Sequence, residues 1–182
     1  MFATPFYRAL LDDQADLDQL GDFLMSRETE NYRHPDSPQI AHTSVFESRF
    51  DLFSWKESDV EMLKNRLYGQ LMNYLCEVNG FDQTTLSALQ FQSESWFHIT
   101  RKGGYFQPHT HPLASVSMIY CVSPGDQDIE SIHEQGRVLF FDPRTNASMY
   151  LDPANRHMSR TYSFDGMQFR LQSNEVCIFP SY

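Results

Sequence analysis

The stretch Trp96-Phe97-His98-Ile99-Thr100-Arg101-Lys102-Gly103-Gly104-Tyr105-Phe106-Gln107-Pro108-His109-Thr110-His111-Pro112 decides how the rest of the chain is read. Residues 94–100 read as a strand, Gly103-Gly104 as a turn, and residues 105–110 as a second strand. Side chains two positions apart in a strand share a face, so His109 and His111 present two imidazoles side by side. Two such rings form a natural chelate for a divalent transition metal. Pro108 and Pro112 restrict the backbone on either side and can pre-set the pair. An isolated H-x-H is more often a surface or packing pair. The order strand, turn, histidine pair, strand makes the metal reading the stronger one here.

Downstream of this stretch the texture stays that of short strands, near 115–122, 136–141, 159–163, 167–172 and 175–179, with another ahead of it at 85–92. Turn signals such as Pro124-Gly125, Asp142-Pro143, Asp152-Pro153, Asp165-Gly166 and Ser173-Asn174 punctuate them. Many short strands at regular spacing indicate an all-β sandwich or barrel. Upstream, residues 2–10 read as a short extended segment interrupted by Pro5. Asp12, Asp13, Asp16 and Asp18 then open a stretch with Leu17, Leu20, Phe23 and Leu24 at helical spacing. Residues 32–54 read as irregular connection. A longer helix is expected over 59–78, with Ser58 as cap, Glu61 completing a capping box, and Asn79-Gly80 as the stop. Its stripe is Val60, Leu63, Leu67, Leu71, Leu75 and Val78. The expected fold class is α+β, a single domain over 1–182. Residues 1–83 form a helical N-terminal part packed on a C-terminal double-sheet barrel at 84–182.

The 182 residues, 41% hydrophobic and 14% aromatic, suffice for one sizeable core. Fourteen Lys and Arg against 24 Asp and Glu leave a formal charge of −10. A phosphate-backbone binder needs the opposite balance, so neither nucleic acid nor an anionic membrane is an expected partner. Cys76, Cys121 and Cys177 are far apart and form no C-x-x-C, which leaves no zinc ribbon or redox dithiol and favours buried thiols. No secretory signal or membrane-length apolar run is seen, and a cytoplasmic location is expected. There is no G-x-S-x-G elbow and no Walker loop.

The run G-G-Y-x-x-P-H-x-H-P, followed by Ser115 to Val122, resembles the iron-binding half of prolyl-hydroxylase-like oxygenases. Gly136-Arg137-Val138-Leu139-Phe140-Phe141-Asp142-Pro143-Arg144 and Val176-Cys177-Ile178-Phe179-Pro180-Ser181 fit the same pattern. The resemblance extends over roughly residues 90–182 and is to 2-oxoglutarate/iron(II) oxygenases of bacteria and phages, in their H-x-H-P form. It implies a double-stranded β-helix (jelly-roll) barrel and an enzyme that oxidises a small molecule or a protein side chain. The implied cofactors are iron(II) and 2-oxoglutarate, with His109 and His111 as two of three metal ligands. The usual pair in this superfamily is His-x-Asp, so His111 stands where a carboxylate would be. The resemblance also implies that the distal histidine and a basic cosubstrate anchor follow the F-P-S segment. The natural chain is therefore expected to continue past Tyr182 by at least one strand, which would also cover an otherwise open apolar edge at Val176–Phe179.

Other residues are weaker candidates. Tyr120 is in reach of a cosubstrate carboxylate by its place in the strand after the pair, although packing is the plainer use. His98 reads as core or as a neighbour of the metal ligands, and Arg144 as an exposed turn arginine. His133 and His157 read as solvated, or as a third ligand if one of them folds back. Two other functions compete with this one. A cupin-like metalloprotein would use no 2-oxoglutarate, but cupins place a glutamate soon after H-x-H, and residues 112–117 contain none. A catalytically silent barrel would serve as a binding module. Homodimerisation is left open.

Overall fold

The computed structural model describes residues 4–11, 17–35, 44–125, 136–141 and 166–182. Its elements are β1 (Tyr7–Leu10), α1 (Leu17–Ser26), β2 (Val45–Glu47), a short 3-10 turn at Leu52–Ser54, α2 (Ser58–Asn79), α3 (Gln83–Ala88), β3 (His98–Thr100), β4 (Val116–Cys121), β5 (Arg137–Phe140), β6 (Met167–Arg170) and β7 (Glu175–Pro180). No described helix is long and apolar enough to cross a membrane.

The apolar stripe of α2 builds most of the helical side of the core. Val60, Leu63, Leu67 and Leu71 are buried, and Tyr74 joins them. Val78, expected in the stripe, is exposed. The helix stops at Gly80, which takes a left-handed φ of 66° and donates its N–H to the Cys76 carbonyl. Its start differs from expectation. Ser58 is already helical, the residue ahead is Glu57, and no side chain caps the end. The Glu57 carboxylate is instead engaged by Arg27 at 3.2 Å. Asp59 and Glu61 still place negative charge in the first turn, where the helix dipole favours it. In α1, Leu20 and Leu24 turn inward as their spacing predicts.

Residues 85–92, expected as a strand, begin instead inside α3. The Asp82 side chain accepts from the Thr85 N–H at 2.8 Å, a cap that outweighs the β preference of the two threonines. Residues 32–54 are less irregular than expected, because β2 lies there and pairs antiparallel with β3: Val45 with Thr100, Phe46 with Ile99, Glu47 with His98.

The described strands form three antiparallel sheets, β1-β7-β4, β2-β3 and β5-β6, with no closed barrel among them. The expected jelly-roll barrel thus appears as separate sheets within the described residues, and the strand expected at 159–163 lies outside them. The open edge expected at Val176–Phe179 is absent as well. β7 sits between β1 and β4, with Tyr7 opposite Ile178 on one side and Met118 opposite Ile178 on the other. The N-terminal strand supplies the cover that was expected from beyond Tyr182.

Alternation along this sheet gives it two distinct faces. Tyr7, Ala9, Val116, Met118, Tyr120, Val176 and Ile178 pack with Leu20, Leu24, Val60, Leu63 and Leu67 of the helices. The opposite face carries Arg8, Ser117, Ile119, Cys121, Glu175, Cys177 and Phe179. The β5-β6 pair covers part of that second face through an aromatic cluster. Phe140 lies 4.9 Å from Phe6 and 4.7 Å from Phe179, and the Arg8 guanidinium stacks 4.1 Å over the Phe169 ring.

Candidate metal centre

The histidine pair is carried by a loop, not by the second strand expected at 105–110. Pro108 and Pro112 have no N–H to give a ladder, which favours this outcome. Position is set at both ends instead. Upstream, Arg101 donates its N–H to the Ser44 carbonyl at 2.9 Å and accepts from Gly104 at 2.8 Å. The backbone passes so close at Gly104 that a Cβ there would lie 2.8 Å from the Ser44 carbonyl oxygen. Downstream, the His111 N–H donates to the Ser181 carbonyl at 3.2 Å, which ties the loop to the end of β7.

The two rings do meet. The centroids of His109 and His111 are 5.2 Å apart. His109 Nδ1 is 2.7 Å from the Gln107 carbonyl oxygen. A carbonyl can only accept, so Nδ1 carries the hydrogen and Nε2 keeps its lone pair for a metal. His111 Nδ1 is 2.6 Å from Ser117 Oγ, which again leaves Nε2 without a hydrogen bond among the described residues. Burial, followed by the His109 and His98 rings, pushes the His111 imidazole below its ordinary value, so it is neutral at pH 7. A neutral imidazole is the form that ligates.

Aromatic rings border the pair on one side, while His109 itself is exposed. Trp96 meets the His111 ring edge-on at 5.5 Å, and Phe106 lies 4.2 Å from His98 and 6.2 Å from His109. His98 is therefore beside the pair, but its Nε2 is occupied, because Trp96 Nε1–H donates to it at 2.7 Å. Glu47 Oε1 lies 3.2 Å from the same nitrogen, and Glu47 Oε2 is buried with no hydrogen-bond partner among the described residues. The indole can only donate and the carboxylate can only accept, so the two compete for the same nitrogen. Glu47 was missed from sequence because β2 lies in a region read as irregular. Its cross-strand pairing with His98 has no local signature. The W-x-H spacing of Trp96 and His98 was the available signal for the ring cluster.

Tyr120 is not brought to the histidines. It lies on the helix-facing side of β4, opposite to Ser117, where its hydroxyl donates to Asn174 Oδ1 at 2.7 Å and accepts from Arg66 Nη1 at 3.2 Å. Arg66 Nη2 reaches the same Asn174 oxygen at 2.9 Å. This set joins α2, β4 and the turn ahead of β7. His133, His157 and Arg144 lie outside the described residues. Among the described residues no group of three His, Cys, Asp or Glu is arranged to hold a metal. Two surface concavities, one at Tyr32, Trp55, Lys56 and Glu57 and one between β1 and α2, lie away from the pair.

Residues 94–182 match the family model described as "Putative 2OG-Fe(II) oxygenase". Neither a curated protein nor a solved structure matches the chain.

Proposed function

Because residues 94–182 belong to the 2-oxoglutarate/iron(II) oxygenase family, we propose that this protein oxidises an organic substrate at an iron held by His109 and His111. Membership implies iron(II) and 2-oxoglutarate as its cofactors. When bound, they supply the oxidising power, drawn from dioxygen and paid for by decarboxylation of 2-oxoglutarate to succinate. The reading rests on one observation above the rest: two adjacent imidazoles whose Nδ1 atoms are both engaged, leaving both Nε2 atoms for a metal.

The chain's own residues have separable parts in this account. Gln107 fixes the His109 tautomer through its carbonyl. Burial keeps His111 neutral. Trp96 packs edge-on against His111, and Phe106 lies beside His109, so each ring of the pair has an aromatic neighbour. His111 in place of a carboxylate leaves more positive charge on the metal than His-x-Asp would, which strengthens the hold on an anionic cosubstrate. The sheets are read as parts of the family's double-stranded β-helix. The packing of β5-β6 over the second face of β1-β7-β4 supports this, since it already makes two layers.

Turnover of 2-oxoglutarate without added substrate tests the proposal. Protein supplied with iron(II), ascorbate and dioxygen is expected to form succinate slowly, and the variant with His109→Ala and His111→Ala is expected to form none above background. Iron-loaded protein that neither binds 2-oxoglutarate nor forms succinate would point instead to a cupin-like metalloprotein.

A further inference from the structure

We propose that Ser117 and Ser181 are positioning residues, whose paired hydroxyls orient His111 for metal ligation through Nε2. The inference rests on His109 and His111 being metal ligands and goes on to assign the groups that hold one of them. Ser117 Oγ lies 2.6 Å from His111 Nδ1 and 2.7 Å from Ser181 Oγ, and both serines are buried, at 6% exposure each. A buried hydroxyl costs free energy unless it is bonded, and here the two share one hydrogen bond.

The two histidines are held in different ways. The Nδ1 of His109 rests on a carbonyl two residues away in its own loop. His111 is anchored to the sheet, because Ser117 belongs to β4 and Ser181 follows β7. Ser181 grips it a second time through the backbone, accepting the His111 N–H at 3.2 Å while donating its own N–H to the Ser115 carbonyl at 3.3 Å. Ring and backbone of His111 are thereby referred to the central strand pair of the molecule.

A hydroxyl can donate or accept, so this partner does not fix the tautomer as a carbonyl does. With Nε2 on a metal, Nδ1 must carry the hydrogen. It then donates to Ser117 Oγ, and the Ser117 hydrogen turns to Ser181 Oγ. Partners that support a ligating histidine in this way commonly contribute roughly 10- to 100-fold in metal affinity.

Zinc(II) titration of the wild-type protein, Ser117→Ala, Ser181→Ala, Ser117→Thr and His111→Ala tests the assignment, with thermal unfolding of each metal-free protein as a control. Ser117→Ala is expected to weaken zinc binding roughly 10- to 100-fold, Ser181→Ala less, and Ser117→Thr to stay near wild type. In the zinc-loaded wild type, nitrogen-15 NMR should show His111 hydrogenated at Nδ1 with slow exchange, and faster exchange in Ser117→Ala. Wild-type affinity in Ser117→Ala, with zinc still lost in His111→Ala, would overturn this inference and leave the metal reading standing. A wild-type protein that binds no zinc would overturn both.

Discussion

Burial works against the negative charge of Glu175, whose side chain is 5% exposed on the face of β7 turned away from the helices. The charge persists because Arg8 hydrogen-bonds the carboxylate and the Gln172 N–H donates to Oε2 at 2.8 Å. Together with the Arg8 charge these outweigh desolvation, and the carboxyl is held below its ordinary value of 4.5. A group depressed in this way contributes stability above its unfolded pKa, and that stability is lost as pH falls through the folded one. Glu175→Gln should therefore cost about 2 kcal/mol at neutral pH, with the gap from wild type closing below the ordinary carboxyl range. Urea unfolding across that range checks it, and a gap independent of pH would show that the charge contributes nothing. Burial and the Glu175 charge act together on the neighbouring thiols, and at Cys177 they outweigh the opposing Arg8 charge. Burial pushes Cys177 up to about 12 and Cys121 up to about 11, which makes them unreactive at neutral pH. At this scale the site was partly legible. The His109–His111 pair was read from its spacing, whereas the role of Ser117 depends on a contact with Ser181, 64 positions away.

Among the elements, α2 was the most legible, because a long stripe and a glycine stop are both local signals. Gly80 tests that reading. Its φ is 66° and a Cβ there would meet nothing within 4 Å, so Gly80→Ala carries only the conformational cost of a left-handed alanine. A loss of about 1 kcal/mol is expected, measured as a lower urea midpoint at unchanged slope. No loss would mean that the helix does not end in this conformation. Asp82 turned an expected strand into α3 by a side-chain cap, and Glu57 took up Arg27 in place of a capping box at Ser58. At Asp82 one specific polar contact prevailed over local propensity. The histidine loop failed as a strand for the complementary reason: its prolines remove the donors that a strand needs.

At the scale of the molecule, the largest surprise is the use of the N-terminus. β1 was read only as a short extended segment, yet it pairs with β7 and covers what had been expected as an open edge. Pairing between residues 7–10 and 175–178 leaves no trace in sequence, because registry over that distance is set by which apolar faces must be buried together. What results is a sheet with two occupations. One face packs on the helices and holds Tyr120, Arg66 and Asn174 in a hydrogen-bonded set. The other meets the β5-β6 pair and, at its Ser117–Ser181 end, supports the histidine loop. The central claim of this account is that the loop holds iron. Anaerobic iron(II) binding to the intact protein, compared with the variant carrying both His109→Ala and His111→Ala, tests it most directly. One equivalent bound by the wild type and lost in the variant, with the far-ultraviolet circular dichroism unchanged, is the result expected; equal iron in the two proteins would contradict it.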